Sequence, residues 1–354
     1  MTPIETTELR PGYTISRVLK GGWQLAGGHA AVDRDKAIAE MGDYLRSGIT
    51  TFDCADIYTG VEQLIGDFRR RTIAEGDAAL LAPLKVHTKC VPDLQKLRTL
   101  TKRELQETID RSLARLGLDR LNLVQFHWWD LAVPRYVEVA GWLADFQKEG
   151  KIDLLGATNF NTACMREIHD AGIGFASIQV QYSLLDNRPE KSLLAHCRKS
   201  DINILCYGTV AGGFLSDRWL GVAEPRGALE NRSLVKYKLI IDDIGGWDLF
   251  QELLKTLRRI ADRHDVEVAD VAMRAVLDWP QVSAIIVGVR HGGHLEAHSR
   301  LFGLKLTDRD RADIDAILAQ KAPLEGDVYD LERDQNGRHG RIMHYNLNED
   351  KPAA

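Results

Sequence analysis

The chain has 354 residues, of which 44% are hydrophobic and 27% charged, enough for one large packed domain or two modest ones. Its 46 basic and 51 acidic residues leave a formal charge of −5, and neither sign gathers into a block. This excludes a polybasic nucleic-acid surface or membrane patch and makes any anion site a local one.

The first residues, MTPIETTELRPG, lack a basic segment followed by an apolar one, and no apolar run approaches the roughly 18 residues of a membrane span. Five scattered cysteines, Cys54, Cys90, Cys164, Cys197 and Cys206, contain no C-x-x-C pair and suit reduced thiols. A cytoplasmic protein with a small-molecule ligand, and neither nucleic acid nor membrane as partner, is expected; oligomeric state is left open.

In chain order, short apolar runs alternate with helical patterns. Strands are expected near Ser16–Gly22, Ile49–Asp53, Lys85–Lys89, Leu121–His127, Leu154–Thr158, Ala176–Val180, Asn203–Tyr207 and Ala284–Gly288. Helical stripes run through Asp35–Arg46, Arg135–Lys148, Glu190–Arg198, Asp248–His264 and Val268–Leu277, the last stopped before Pro280. In TKRELQETIDRSLARLG, Thr101 and Glu104 form a capping box, Leu105, Ile109, Leu113 and Leu116 make one apolar stripe, and Gly117 ends it. Eight strands with intervening helices predict an α/β fold, a (β/α)8 TIM barrel in a single domain with its core at about residues 14–320. Two segments fall outside that pattern. Residues Arg218–Gly246 read as a long connection with few helical signals, and Ala322–Ala354 as a polar tail whose Tyr329, Met343 and Tyr345 could dock on the barrel mouth.

Such barrels place their chemistry at the carboxyl ends of the strands. The residues there are Trp23, Asp53, Lys89, His127, Thr158 with Asn159, Gln179, Tyr207 and Arg290. Asp53 and Lys89 end neighbouring strands, and each charge can be buried only with the other beside it. Tyr58 follows five residues after Asp53, where the ammonium of Lys89 would favour its phenolate, and His127 could orient a carbonyl oxygen by hydrogen bonding. The group suits proton donation to a carbonyl; on its own, the ion pair could also be purely structural.

The segments FDCADIYTGVEQLIG (Phe52–Gly66), HTKC around Lys89, QFHWW around His127, EGKIDLLGATNF (Glu149–Phe160) and IQVQYSLLD (Ile178–Asp186) together resemble the aldo-keto reductase superfamily. The resemblance implies a reversible NAD(P)H-linked reduction of an aldehyde or ketone, without metal or flavin, in which Asp53 holds Lys89, Lys89 polarises Tyr58, and Tyr58 protonates the oxygen. It also implies that Thr158, Asn159 and Gln179 meet the nicotinamide carboxamide, that Tyr207 stacks on the ring, and that Trp23 and Asp53 border the cofactor. The segment Tyr207–Asp217, with Gly208, Gly212, Gly213, Phe214 and Leu215, would wrap the pyrophosphate. Arg290 resembles the residue that grips a 2′-phosphate, favouring NADPH/NADP over NADH/NAD; the following adenine-end positions, however, are Ala297 and His298 in place of an acidic residue and asparagine. Trp23 and Trp128, with Tyr58 and His127, are the candidates to wall the substrate pocket, while Trp129 is balanced between burial and contact.

Two other patterns point elsewhere. His291, His294 and His298 have helix-like spacing, but Gly292 and Gly293 break it and no carboxylate or thiolate completes a zinc set. The run GIGFAS (Gly172–Ser177) precedes a strand, whereas a dinucleotide fingerprint follows one. The alternatives to a carbonyl reductase are a cofactor-binding regulatory subunit with little turnover and, more remotely, a metal-dependent barrel hydrolase.

Overall fold

The computed structural model describes residues 2–26, 33–288 and 300–343. A β-hairpin comes first: β1 (Thr6–Arg10) pairs antiparallel with β2 (Tyr13–Ser16), from Thr6 opposite Ser16 to Arg10 opposite Tyr13. Eight strands then close a barrel: β3 (Val18–Gly21), β4 (Thr51–Asp53), β5 (Lys85–Cys90), β6 (Leu121–Phe126), β7 (Ile152–Thr158), β8 (Ser177–Gln181), β9 (Asn203–Tyr207) and β10 (Val282–Gly288). All neighbours are parallel, and β10 returns to β3 with Ile285 opposite Val18. These are the eight strands expected from the sequence, shifted by one to two residues at their ends.

Alternation along β6 shows how the barrel is filled. Val124 and Phe126 point outward into the layer shared with the helices, where they are fully buried. Leu123 and Gln125 point inward, Leu123 to an apolar floor and Gln125 to a polar upper layer. The floor is closed by the hairpin, whose Leu9, Tyr13 and Ile15 pack against Leu19, Leu123, Leu205, Ala284 and Ile286. The hairpin is tied to the starts of the barrel strands, since Asn203 donates to the Leu9 carbonyl at 2.9 Å and the Ser16 amide to Thr51 at 3.2 Å.

The α-helices among the described residues are, in order, α1 (Arg34–Arg46), α2 (Val61–Ala74), α3 (Lys102–Leu116), α4 (Tyr136–Lys148), α5 (Thr162–Asp170), α6 (Leu193–Lys199), α7 (Arg232–Asp243), α8 (Gly246–His264), α9 (Val268–Leu277), α10 (Asp308–Leu318) and α11 (Asp330–Arg333). In α3 the capping box forms as expected, with the Thr101 amide 2.8 Å from Glu104 and the Glu104 amide 3.2 Å from Thr101, and Gly117 ends the helix at φ 63°. One expectation fails. The connection Arg218–Gly246 contains α7, whose Asn231 accepts the Leu234 amide at 3.1 Å and whose Leu234, Tyr237, Ile240 and Ile241 bury one face beside α8.

Among the described residues no helix is long and apolar enough to cross a membrane. All five cysteines are buried free thiols. Tyr329 of the tail is buried and Met343 packs against the main core; Tyr345 lies outside the described residues.

Candidate active site

The carboxyl end of the barrel gathers Asp53, Lys89, Gln125 and Gln179 into one buried network. The Lys89 ammonium donates to Asp53 Oδ1 at 2.6 Å and to the Cys54 carbonyl at 2.9 Å, and both members of the ion pair are almost wholly buried. Asp53 Oδ2 accepts from Gln125 Nε2 at 2.8 Å and from Gln179 Nε2 at 2.7 Å. Burial works against the Lys89 ammonium, but the Asp53 carboxylate, and after it Tyr58, outweigh that cost and lift its pKa above the usual value. Gln125 was not singled out in the sequence. Its signal is parity: two residues before His127 on one strand, it shares that residue's inward face.

Tyr58, in the loop after β4, lies with its ring centroid 4.9 Å from Lys89 Nζ and 5.1 Å from the ring of Trp23. Trp23 is only half-buried, as a pocket wall requires. The expected bias toward phenolate is not the net effect. Desolvation raises the Tyr58 pKa by more than the charge and hydrogen bond of Lys89 lower it, so the hydroxyl keeps its proton at neutral pH. A protonated phenol beside a fixed ammonium is an acid ready to donate.

His127 follows directly on β6. Its Nδ1 lies 3.1 Å from the Thr158 carbonyl oxygen, and its Nε2 is buried with no hydrogen-bond partner among the described residues. Burial, followed by the charge of Arg333, pushes the imidazole pKa down to about 3, so an imidazolium is not formed at neutral pH. Trp128 also departs from expectation: it is fully buried against Phe126, with its indole donating to the Val133 carbonyl at 3.0 Å, and so sits inside the wall. Trp129 takes the nearer place, edge-on to His127 at 4.4 Å.

The residues expected around a nicotinamide come together at the ends of β7, β8 and β9. Both hydrogens of the Gln179 amide are committed, to Asp53 and, at 2.8 Å, to Gln125, which leaves its oxygen to accept. Asn159 Oδ1 accepts the Tyr207 hydroxyl at 2.9 Å, which leaves its NH2 to donate. One acceptor and one donor side by side fit a carboxamide, and Asn159 holds this place at φ 62°, a left-handed conformation that asparagine tolerates better than most residues. Thr158 is turned aside, its hydroxyl donating to the Gln179 carbonyl at 3.2 Å.

The loop after Tyr207 is shaped largely by α7. A side chain at Gly208 would run into the Tyr237 hydroxyl, and one at Gly212 would come within 2.9 Å of the Tyr237 ring; both residues have positive φ, as does Gly213. Phe214 and Leu215 were expected at the pyrophosphate and are corrected here. Both side chains are fully buried, Phe214 against Trp219, Trp247 and Phe250, and their amides bond within the loop, to the carbonyls of Ala211 at 3.1 Å and Val210 at 3.2 Å. Arg290, Ala297 and His298, with His291 and His294, lie outside the described residues.

The tail supplies neighbours of the site, of which only Tyr329 was named from the sequence. Arg333 donates to the carbonyls of Asn159 at 2.6 Å and Trp128 at 3.2 Å, and the Tyr329 ring stands edge-on to His127 at 5.7 Å. Glu332 is fixed by Arg188, which it meets twice at 3.0 Å and which Asp186 also holds at 2.7 Å. Lys236 of α7 lies 3.6 Å from Glu332 and 5.1 Å from the centroid of Tyr207. All these pairs join residues more than 90 positions apart or elements without a motif, except Asp186 with Arg188, whose two-residue spacing was visible.

The sequence profile of the Aldo/keto reductase family matches residues 17–319. The aldo-keto reductase YhdN of Bacillus subtilis is 28% identical over 323 residues, covering 87% of this chain and 91% of its own. The NADH-specific methylglyoxal reductase of Escherichia coli is 25% identical, covering 87% and 95%. The solved structure of a glycerol dehydrogenase from Gluconobacter oxydans superposes with a TM-score of 0.72 at 25% identity, covering 92% of this chain and 97% of that one.

Proposed function

The chain belongs to the aldo/keto reductase family, and from that premise we propose that it reversibly reduces a small neutral aldehyde or ketone to the alcohol, with Tyr58 as proton donor. The observation that carries this reading is the ammonium of Lys89, held 2.6 Å from Asp53 and 4.9 Å from the Tyr58 ring centroid. The nicotinamide cofactor supplies the hydride and takes it back in the reverse direction. Tyr58 gives its proton to the oxygen as charge develops there, and Lys89 stabilises the phenolate left behind. In the reverse direction the same phenolate is the base. Gln179 and Asn159 would hold the carboxamide of a bound nicotinamide, Tyr207 would support its ring, and Trp23 would help exclude water from the reacting face.

NADPH is the proposed cofactor, on the strength of Arg290; Ala297 and His298 make the choice the first thing to test. The chain's likeness to a methylglyoxal reductase and a glycerol dehydrogenase favours small, uncharged, oxygen-rich substrates. A fluorescence titration of the protein with NADPH and NADH reads the cofactor choice, and oxidation of the preferred one on adding an aldehyde reads the reaction. Tyr58→Phe should bind cofactor as the native protein does while turnover drops by about 10²–10⁴-fold. A Tyr58→Phe variant that reduces aldehydes at the native rate would remove the proton donor from this reading.

A further inference from the structure

Resting on the carbonyl-reductase reading above, we propose that Arg333 is a positioning residue for the cofactor. Through the carbonyl of Asn159 the tail sets the donor that meets the nicotinamide carboxamide. Affinity for the nicotinamide half of the dinucleotide then depends on a docked tail, and affinity for the adenosine half does not. The geometry converges on Asn159, which is half-buried at the barrel mouth. Its amide donates to the Gln179 carbonyl at 2.9 Å, its Oδ1 accepts the Tyr207 hydroxyl at 2.9 Å, and its carbonyl accepts from Arg333 at 2.6 Å. Among the described residues only its side-chain NH2 is left without a partner. Three segments thus fix one residue. Two of them, β8 and β9, belong to the barrel, and the third is the tail.

A residue at φ 62° needs such bracing, because relaxation to the more populated backbone regions would swing its NH2 off the carboxamide. The bond from Arg333 is charge-assisted, and the printed partners of the guanidinium are all carbonyls: Asn159, Trp128 at 3.2 Å and Val328 at 3.4 Å. It thereby ties the loop after β6 to the loop after β7, with the Tyr329 ring 5.2 Å from its centre. A second tail residue grips the far end of the same loop: Asp327 accepts the Thr162 amide at 2.9 Å, at the start of α5. Residues 159–162 are therefore held at both ends by the tail. The loop after β9, where the pyrophosphate is expected, receives no hydrogen bond from Arg333 and is shaped by Tyr237 of α7. This separates the two halves of the cofactor.

The test is isothermal titration calorimetry of the native protein, Arg333→Met and Arg333→Lys. It compares the preferred reduced dinucleotide with the matching ADP-ribose (2′-phospho-ADP-ribose for NADPH), which is the same molecule without the nicotinamide ring. Arg333→Met should weaken the dinucleotide by about tenfold or more and the ADP-ribose by less than about twofold, and Arg333→Lys, which keeps one charged donor, should recover part of the loss. Equal weakening of both ligands, or of neither, overturns the proposal and leaves the reductase standing. A native protein that binds neither NADPH nor NADH removes both readings. The converse measurement needs no variant and holds if Arg333→Met does not fold. By linkage, a nicotinamide ring that gains from the docked tail must hold the tail in return. Hydrogen exchange of residues 327–334 in the native protein should slow with the reduced dinucleotide and keep its ligand-free rate with the ADP-ribose. Equal slowing by both, or by neither, ends the proposal.

Discussion

Asp53 and Lys89 occupy the barrel interior only as a pair, because each would otherwise be an uncompensated buried charge. Asp53→Leu alone should therefore cost about 3–5 kcal/mol of stability and most of the activity. Asp53→Leu combined with Lys89→Met should be more stable than either single variant while staying inactive. Urea unfolding of the three proteins checks this, and a double variant that loses the sum of the single losses would show that the two charges are not coupled. Deeper in the same barrel lies His87, whose nitrogens have no hydrogen-bond partner among the described residues and whose ring stacks on Tyr13 at 6.1 Å. Burial chiefly, with Asp53 partly opposing it, pushes its pKa down to about 4. The sign is then fixed: between its unfolded pKa of about 6.5 and the folded value, the unfolded chain binds a proton that the native one does not. Stability is thus full above pH ~6.5 and falls as the pH drops, by up to about 1.4 kcal/mol per unit for each such histidine, and His127 acts in the same sense. A His87→Leu variant should lose roughly half of this slope between pH ~6.5 and ~4.5, read from urea midpoints across that range; an unchanged slope would assign the acid lability to other groups.

At the scale of elements, the tail is held by charge. Glu332 is buried, and although desolvation opposes its ionisation, Arg188 and then Lys236 bring its pKa down to about 2. Glu332→Gln leaves Arg188 and Lys236 with Asp186 as their remaining carboxylate, which should cost about 3 kcal/mol. Because the same segment carries Tyr329 beside His127 and Arg333 on the Asn159 carbonyl, KM for the carbonyl should rise more than kcat falls. Steady-state kinetics separate the two; a fall in kcat at constant KM would place the tail's influence on the chemical step instead. This coupling was not legible in the sequence, since Arg188 and Glu332 stand 144 residues apart and share no motif. The barrel strands were legible as short runs rich in apolar and β-branched residues set between helical stripes. Helix α7 was missed although Asn231 and the stripe Leu234, Tyr237, Ile240 and Ile241 were there to find, at the end of a long segment without strand or helix signals. Likewise Asp53, Lys89 and His127 could be placed at strand ends and Tyr58 in the loop after one of them by position, but the partner of His127 Nδ1, a carbonyl 31 residues away, could not.

For the whole molecule, what matters is that stability and chemistry sit at opposite ends of one barrel. The mouth concentrates buried charge, a left-handed asparagine and a histidine nitrogen without a hydrogen-bond partner among the described residues, all of which cost stability. The floor is closed by a hairpin outside the eight-strand pattern, which no expected element covered; its Thr6, Glu8 and Thr14 are exposed and break up the apolar positions Leu9, Tyr13 and Ile15. Its Ile15 is completely buried among Leu9, Leu19, Leu123, Leu205 and neighbouring side chains. Ile15→Ala should create a cavity there and destabilise the fold by about 2–5 kcal/mol. Since the floor is built from the starts of the strands and the network of Asp53, Lys89, Gln125 and Gln179 from their ends, kcat/KM of the folded variant should stay within about twofold of the native value. Thermal unfolding and carbonyl reduction measured on the same sample test both halves. A large loss of kcat/KM at a temperature where the variant is fully folded would show that the floor sets the geometry of the mouth, and that the two ends are energetically coupled through the strands between them.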